Sequence, residues 1–291
     1  MSVKKTRSHA LSEKHPILSM ILSIVFWAVI LNAIVAVITV ALAVVFSVNN
    51  NNVACVTVVL VSFLILFLFR KWFSPEYQGA LNTELPLQEV LKLCVPMLVF
   101  TLFSIISTMI TDFYFNPTLS SLLLALYAGV NEEVLFRAVS IPIGMRYMKQ
   151  ENRAIIACVI VSVIFGGIHA GNILAGATVM NGLQQVVSAG LIGFYLAALY
   201  ICTGSVWPGI LLHTVYDFTC FTFDSGLTNG VMTRPVSLTE SIVSLAVSAL
   251  LCAAGVWIIR KTGLEQINRL WDRKWSRTVP AVAEEKKEAD A

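Results

Sequence analysis

Eight apolar stretches, most of them about long enough to cross a bilayer, follow one another with only polar joints between them. In lipid every backbone N–H and C=O must find its partner within the protein, so such a chain folds as helices or as a closed barrel. The stretches are continuous apolar runs, not short segments of alternating character, and that selects helices. They lie at about 17–48, 53–69, 89–110, 119–145, 154–170, 178–201, 206–223 and 238–259. Hydrophobic residues make up 57% of the chain and charged ones 13%, against about 25% charged in a typical soluble domain. The expected fold is therefore all-α: a polytopic membrane bundle of about eight transmembrane helices.

Charge placement orients the bundle. Lys4, Lys5, Arg7 and Lys14 precede the first stretch, and eight crossings bring Arg70, Lys71, Arg146, Lys149, Arg153, Arg260 and Lys261 to the same side. The joints on the other side hold a single basic residue, Arg234. By the positive-inside rule both termini are expected in the cytoplasm. Residues 1–16 then form a basic tail, 17–259 the membrane domain, and 260–291 a tail that is first basic and then acidic. The basic part carries Leu264, Ile267, Trp271 and Trp275 at helical spacing, suited to a helix on the inner membrane surface or to an ordinary juxtamembrane segment. The first apolar stretch is too long for the core of a cleaved signal peptide, so it reads as an uncleaved anchor. An integral multi-pass protein of the plasma membrane is expected, with the lipid bilayer as its first partner.

Several classes of function have no support. No basic cluster interleaved with aromatics points to nucleic acid, and no Gly-rich loop points to a phosphate or an organic cofactor. Six cysteines are scattered without a CxxC pair and read as small hydrophobes.

The residues that stand out are charges inside the apolar stretches, where charge is costly and needs a partner or a task. They are Glu132, Glu133 and Arg137 in VNEEVLFR, His169 in FGGIH, and His213 and Asp217 in LLHTVYD. Glu133 and Arg137 are four residues apart and pair on one helical face. Glu132 is rotated by about 100° from Glu133, projects elsewhere and has no local cation. It is the candidate general base. His213 and Asp217 also share a face; Asp217 either orients the imidazole or faces a common ligand with it.

Three ordered motifs carry a family resemblance: Glu-Glu-x-x-x-Arg at Glu132–Arg137, Phe-x-x-x-His at Phe165–His169, and His-x-x-x-Asp at His213–Asp217. Together the chain resembles the CPBP (Abi) intramembrane proteases, which include CAAX prenyl endopeptidases and bacteriocin-processing relatives. The resemblance implies an endopeptidase acting on membrane-associated or hydrophobic peptides. Glu132 and His169 would activate water, while His213 and Asp217 would bind a metal or stabilise the oxyanion. Glu133, Arg137 and Phe165 would support them. The residues admit a divalent metal, zinc first, on His169, His213 and Asp217. They equally admit a glutamate–histidine mechanism without metal. Two other roles compete: a non-enzymatic immunity or scaffold protein that keeps the polar site, and a proton-coupled transporter. Counted from the expected boundaries, His213 lies one or two turns shallower than Glu132 and His169.

Overall fold

The computed structural model describes residues 7–46, 51–73, 75–111, 114–228 and 230–276. Lys4, Lys5, Asn49 and Asn50 of the polar joint, and the acidic end 283–291 lie outside the described residues. The helices are α1 (Arg7–Lys14), α2 (Pro16–Phe46), α3 (Asn51–Leu68), α4 (Leu87–Thr111), α5 (Leu119–Glu132), α6 (Ile141–Tyr147), α7 (Arg153–Ile168), α8 (Gly171–Leu174), α9 (Val179–Thr203), α10 (Trp207–Phe223), α11 (Leu238–Thr262) and α12 (Leu264–Lys274). A two-residue β-ladder, β1 (Leu227–Thr228) with β2 (Val231–Met232), joins α10 to α11. Polar residues set the starts of the long helices. Thr118 and Thr178 accept the N–H groups of Ser121 and Asn181 to open α5 and α9, and Ser237 and Glu240 close a capping box on α11. Gly204 stops α9 in the left-handed region, at φ 68°.

Among the described residues, seven helices are long and apolar enough to cross a membrane: α2, α3, α4, the stretch from α5 to α6, the stretch from α7 to α8, α9 and α11. The eighth expected span is α10, with 17 residues. At ~1.5 Å per residue it is about 25 Å long, short of a hydrocarbon core of ~30 Å. The reason lies in what covers its start. The connection between α9 and α10 is buried, and it is bonded to the loop before α4: Val206 N donates to Ala80 O at 2.8 Å, and Ser205 Oγ to Leu81 O at 2.8 Å. Helix α10 therefore begins beneath a layer of protein, not at the bilayer surface. Its second turn, where His213 sits, is deeper than a count from the surface predicts. The depth mismatch read from the sequence disappears on that account.

The covering layer consists of the 75–86 loop and α12. The helical spacing in the tail is real, but its apolar face meets protein. Ile267, Leu270, Trp271 and Trp275 are buried, with Trp271 stacked on Tyr77 at 6.3 Å. Both indoles donate to backbone carbonyls, Trp271 to Ile201 O and Trp275 to Pro142 O. The buried Lys274 ammonium donates to Gly79 O at 3.0 Å and Asn82 O at 2.9 Å. Tyr77 and Tyr200 share a hydroxyl–hydroxyl bond of 2.9 Å beneath it. The helices facing lipid, α2 above all, leave Val25, Val29, Val37, Val40 and Val44 exposed on the bundle's outside. The core is built where α9 packs between α7 and α11, and where α5 packs on α3 and α10.

Candidate active site

The Glu-Glu-x-x-x-Arg motif is not regular α-helix. Residues Glu133–Ala138 form a π-helical turn, in which Val139 N donates to Val134 O, five residues back. Such turns are rare and recur at functional sites. The expected ion pair forms: Arg137 Nη1 lies 3.1 Å from Glu133 Oε1, both side chains fully buried. Arg137 also donates through Nη2 to Gly193 O at 3.2 Å, and its guanidinium stacks 4.3 Å from the Phe165 ring centre. A buried guanidinium is thus met by a charge, a carbonyl and an aromatic face.

Glu133 has a second partner that the spacing did not reveal. His213 Nδ1 stands 3.0 Å from the same Glu133 Oε1. Because the carboxylate only accepts, Nδ1–H is the donor. The other ring nitrogen, Nε2, lies 3.6 Å from Glu132 Oε2 and 3.6 Å from Asp217 Oδ2. Those distances are ion-pair contacts and too long for hydrogen bonds. Glu132 therefore does not stand apart, as regular helix geometry suggested. The two adjacent glutamates clamp one imidazole, Glu133 at Nδ1 and Glu132 at Nε2, with Asp217 beside Glu132. Two glycines make room for the clamp. A Cβ on Gly129 would lie 2.3 Å from Thr214 Oγ1, so α5 and α10 touch there through bare backbone. A Cβ on Gly209 would lie 2.8 Å from Glu133 Oε2.

His169 ends α7, where its backbone N–H reaches Gly166 O and Gly167 O. Its Nδ1 is 2.8 Å from Phe165 O, so Nδ1–H donates and Nε2 keeps its lone pair. Phe165 sits edge-on to both histidines, with ring centres 5.0 Å from His169 and 6.0 Å from His213. It is the spacer between them as well as the floor for Arg137. Glu132, His169, His213 and Asp217 all line one cavity of about 590 Å³. The contact that brings a histidine to Glu132 is made by His213, whereas the resemblance pairs Glu132 with His169.

Asn181, Gln184 and Gln185 line the same cavity while serving as braces. Asn181 holds the 232–236 backbone, Gln184 accepts from Ser241 and Gln185 accepts from Asn172. Among the described residues no three of His, Cys, Asp and Glu are gathered as metal ligands would be.

The family model described as type II CAAX prenyl endopeptidase, Rce1-like, matches residues 114–219, the stretch that holds all three motifs. No curated protein and no solved structure matches the chain.

Proposed function

We propose that this chain, whose motif-bearing stretch matches the family model of Rce1-like type II CAAX prenyl endopeptidases, is an intramembrane endopeptidase that hydrolyses peptide bonds with water activated by Glu132. The observation that carries the reading is the clamp of Glu132 and Glu133 on the two nitrogens of His213, within a cavity that also holds His169 and Asp217. Glu133 is committed to Arg137 and His213, so it fixes the imidazole and is unavailable for proton transfer. Glu132 faces the cavity and takes the proton from water. The hydroxide oxygen then bonds to the carbonyl carbon of the substrate. As the C–N bond breaks, the proton held by Glu132 passes to the leaving amine. His169 presents an Nε2 lone pair that positions the attacking water by accepting its other proton in a hydrogen bond. With its Nδ1–H given to Glu133, His213 donates from Nε2 only as the imidazolium, and in that form the Nε2–H between Glu132 and Asp217 is the donor to the developing oxyanion. No step requires a group the chain does not contain.

The test compares peptide termini in cells expressing the wild type or Glu132→Ala at equal membrane levels, with thermal stability as the folding control. Termini that disappear with a folded Glu132→Ala variant establish proteolysis and identify the substrate. Identical termini in both strains overturn the protease reading, and leave the buried Glu133–Arg137–His213 network as a structural device of a non-enzymatic membrane protein.

A further inference from the structure

The two ends of the bundle are built differently. At one end the 75–86 loop, α6 and α12 close over the helices with the buried Tyr77, Trp271, Lys274 and Trp275. None of these elements lines the cavity that holds Glu132 and His213. At the other end the cavity wall continues through Ser107 and Thr111 on the last turns of α4, Asn181 near the start of α9, and Asp224, Arg234 and Glu240 around the β-ladder. Those positions are where α4 and α10 finish and α9 and α11 begin, so the cavity runs from the catalytic cluster to that end.

We propose that substrate and water reach the site from the end opposite α12, which is the extracytoplasmic face, and that the substrate is an extended peptide segment presented on that side. Three observations bear on this. The plugged end carries Arg70, Lys71, Arg146, Arg153, Arg260, Lys261, Arg269 and Arg273, and the positive-inside rule assigns such an end to the cytoplasm. The route to the site is mixed: hydroxyl, amide and charged groups line it between the mouth and Asp217 beside apolar side chains such as Phe103, Phe221 and Val243, a surface that meets both the polar backbone and the apolar side chains of a peptide. Its volume of about 590 Å³ falls in the range of small-ligand pockets, ~300–1,000 Å³, which admits a short run of one chain and excludes a folded domain. At the rim Arg234 is paired with Glu240 Oε1 at 3.1 Å and stands 3.6 Å from Asp224, holding the β-ladder segment beside the opening and not across the catalytic cluster. The proposal rests on the protease reading for what happens at the site, but not for the side from which the site is reached.

Thiol labelling separates the two. In a chain carrying Cys220→Ser and Cys252→Ser, single cysteines are introduced as Ser107→Cys and Thr111→Cys on the route, and as Glu265→Cys on exposed α12. A membrane-impermeant maleimide is applied to right-side-out and to inverted membrane vesicles. Expected is labelling of Ser107→Cys and Thr111→Cys in right-side-out vesicles and of Glu265→Cys in inverted ones, each by at least tenfold over the opposite orientation. The native Cys220 also lines the cavity and gives the same reading in a chain altered only at Cys252, which covers the case of a poorly folded variant. Route cysteines labelled only in inverted vesicles, or in neither, overturn the proposal. Labelling from outside in a chain that cleaves nothing supports the route and removes only the protease reading.

Discussion

Glu133 is the residue on which the geometry of the site depends, because one carboxylate oxygen serves both the Arg137 guanidinium and His213 Nδ1. Its neighbour Glu132 touches the same imidazole from the cavity side but is not part of the buried pair. The two therefore fail differently when neutralised. Glu132→Gln should lower cleavage by about 10²–10⁴-fold, the usual contribution of a general base, with thermal unfolding close to wild type. Glu133→Gln leaves Arg137 buried without its countercharge, at a cost of about 3–5 kcal/mol, and should lower the unfolding temperature together with activity. Equal destabilisation by both substitutions would contradict this division of roles. The Glu133–Arg137 pair was legible in the sequence because its spacing of four is a local rule. The bond from Glu133 to His213 joins residues 80 apart, and no local rule reaches that far. The equidistance of Glu132 and Asp217 from Nε2 was hidden for a second reason. The π-helical turn changes the angular step between adjacent residues, so a rotation counted on regular helix no longer applies.

At the scale of elements, the site exists because α5 and α10 approach until backbone meets side chain at Gly129 and Thr214. A methyl group there has no space, and overpacking of this kind costs about 1–3 kcal/mol. Gly129→Ala should reduce both stability and cleavage by pushing His213 away from the two glutamates. Gly167→Ala is the control: its Cβ meets nothing within 4 Å, and alanine favours the helix, so stability should hold or rise. If Gly129→Ala behaves like Gly167→Ala, the contact is not what sets the spacing. Helix α12 offers a second handle. Burial pushes the Lys274 ammonium down to about 8, with the Glu84 charge opposing the shift. The unfolded value is ~10.4, so between about pH 8 and ~10.4 the unfolded chain holds more proton than the folded one, and stability rises with pH through that window. The unfolding temperature of the wild type should therefore climb from pH 7.5 to 9.5 relative to Lys274→Met, whose curve lacks this slope. Parallel curves would mean that the α12 plug is open enough to solvate the ammonium. The amphipathic spacing of α12 was legible in the sequence; its destination was not. An apolar helical face reads the same whether lipid or protein covers it, and only the tertiary partners Tyr77 and Tyr200 decide.

Among the described residues seven helices satisfy length and apolarity for crossing a membrane, and seven crossings would leave the first and last described helices on opposite sides. The packing says otherwise. Helix α1 and helix α12 both contact α6, so the first and last described helices lie at the same end of the bundle, and the number of traverses between them is even. Helix α10 supplies the missing traverse although it is too short to span by itself, because the 75–86 loop and α12 occupy the rest of the thickness at its start. Hydropathy found all eight segments because each traverse is apolar, whatever its length. It could not show that one of them stops short, since the layer that shortens it is made from loop and tail residues that look polar in sequence. The same parity makes the arrangement testable apart from any activity. Epitope tags placed before residue 7 and after residue 276 should be protected together from protease added to right-side-out vesicles, and digested together in inverted ones. A tag inserted at the β-ladder joint near Gly230 should show the reverse. If the two terminal tags instead segregate to opposite sides, α10 does not cross, and the access route to Glu132 would have to be drawn from the other face.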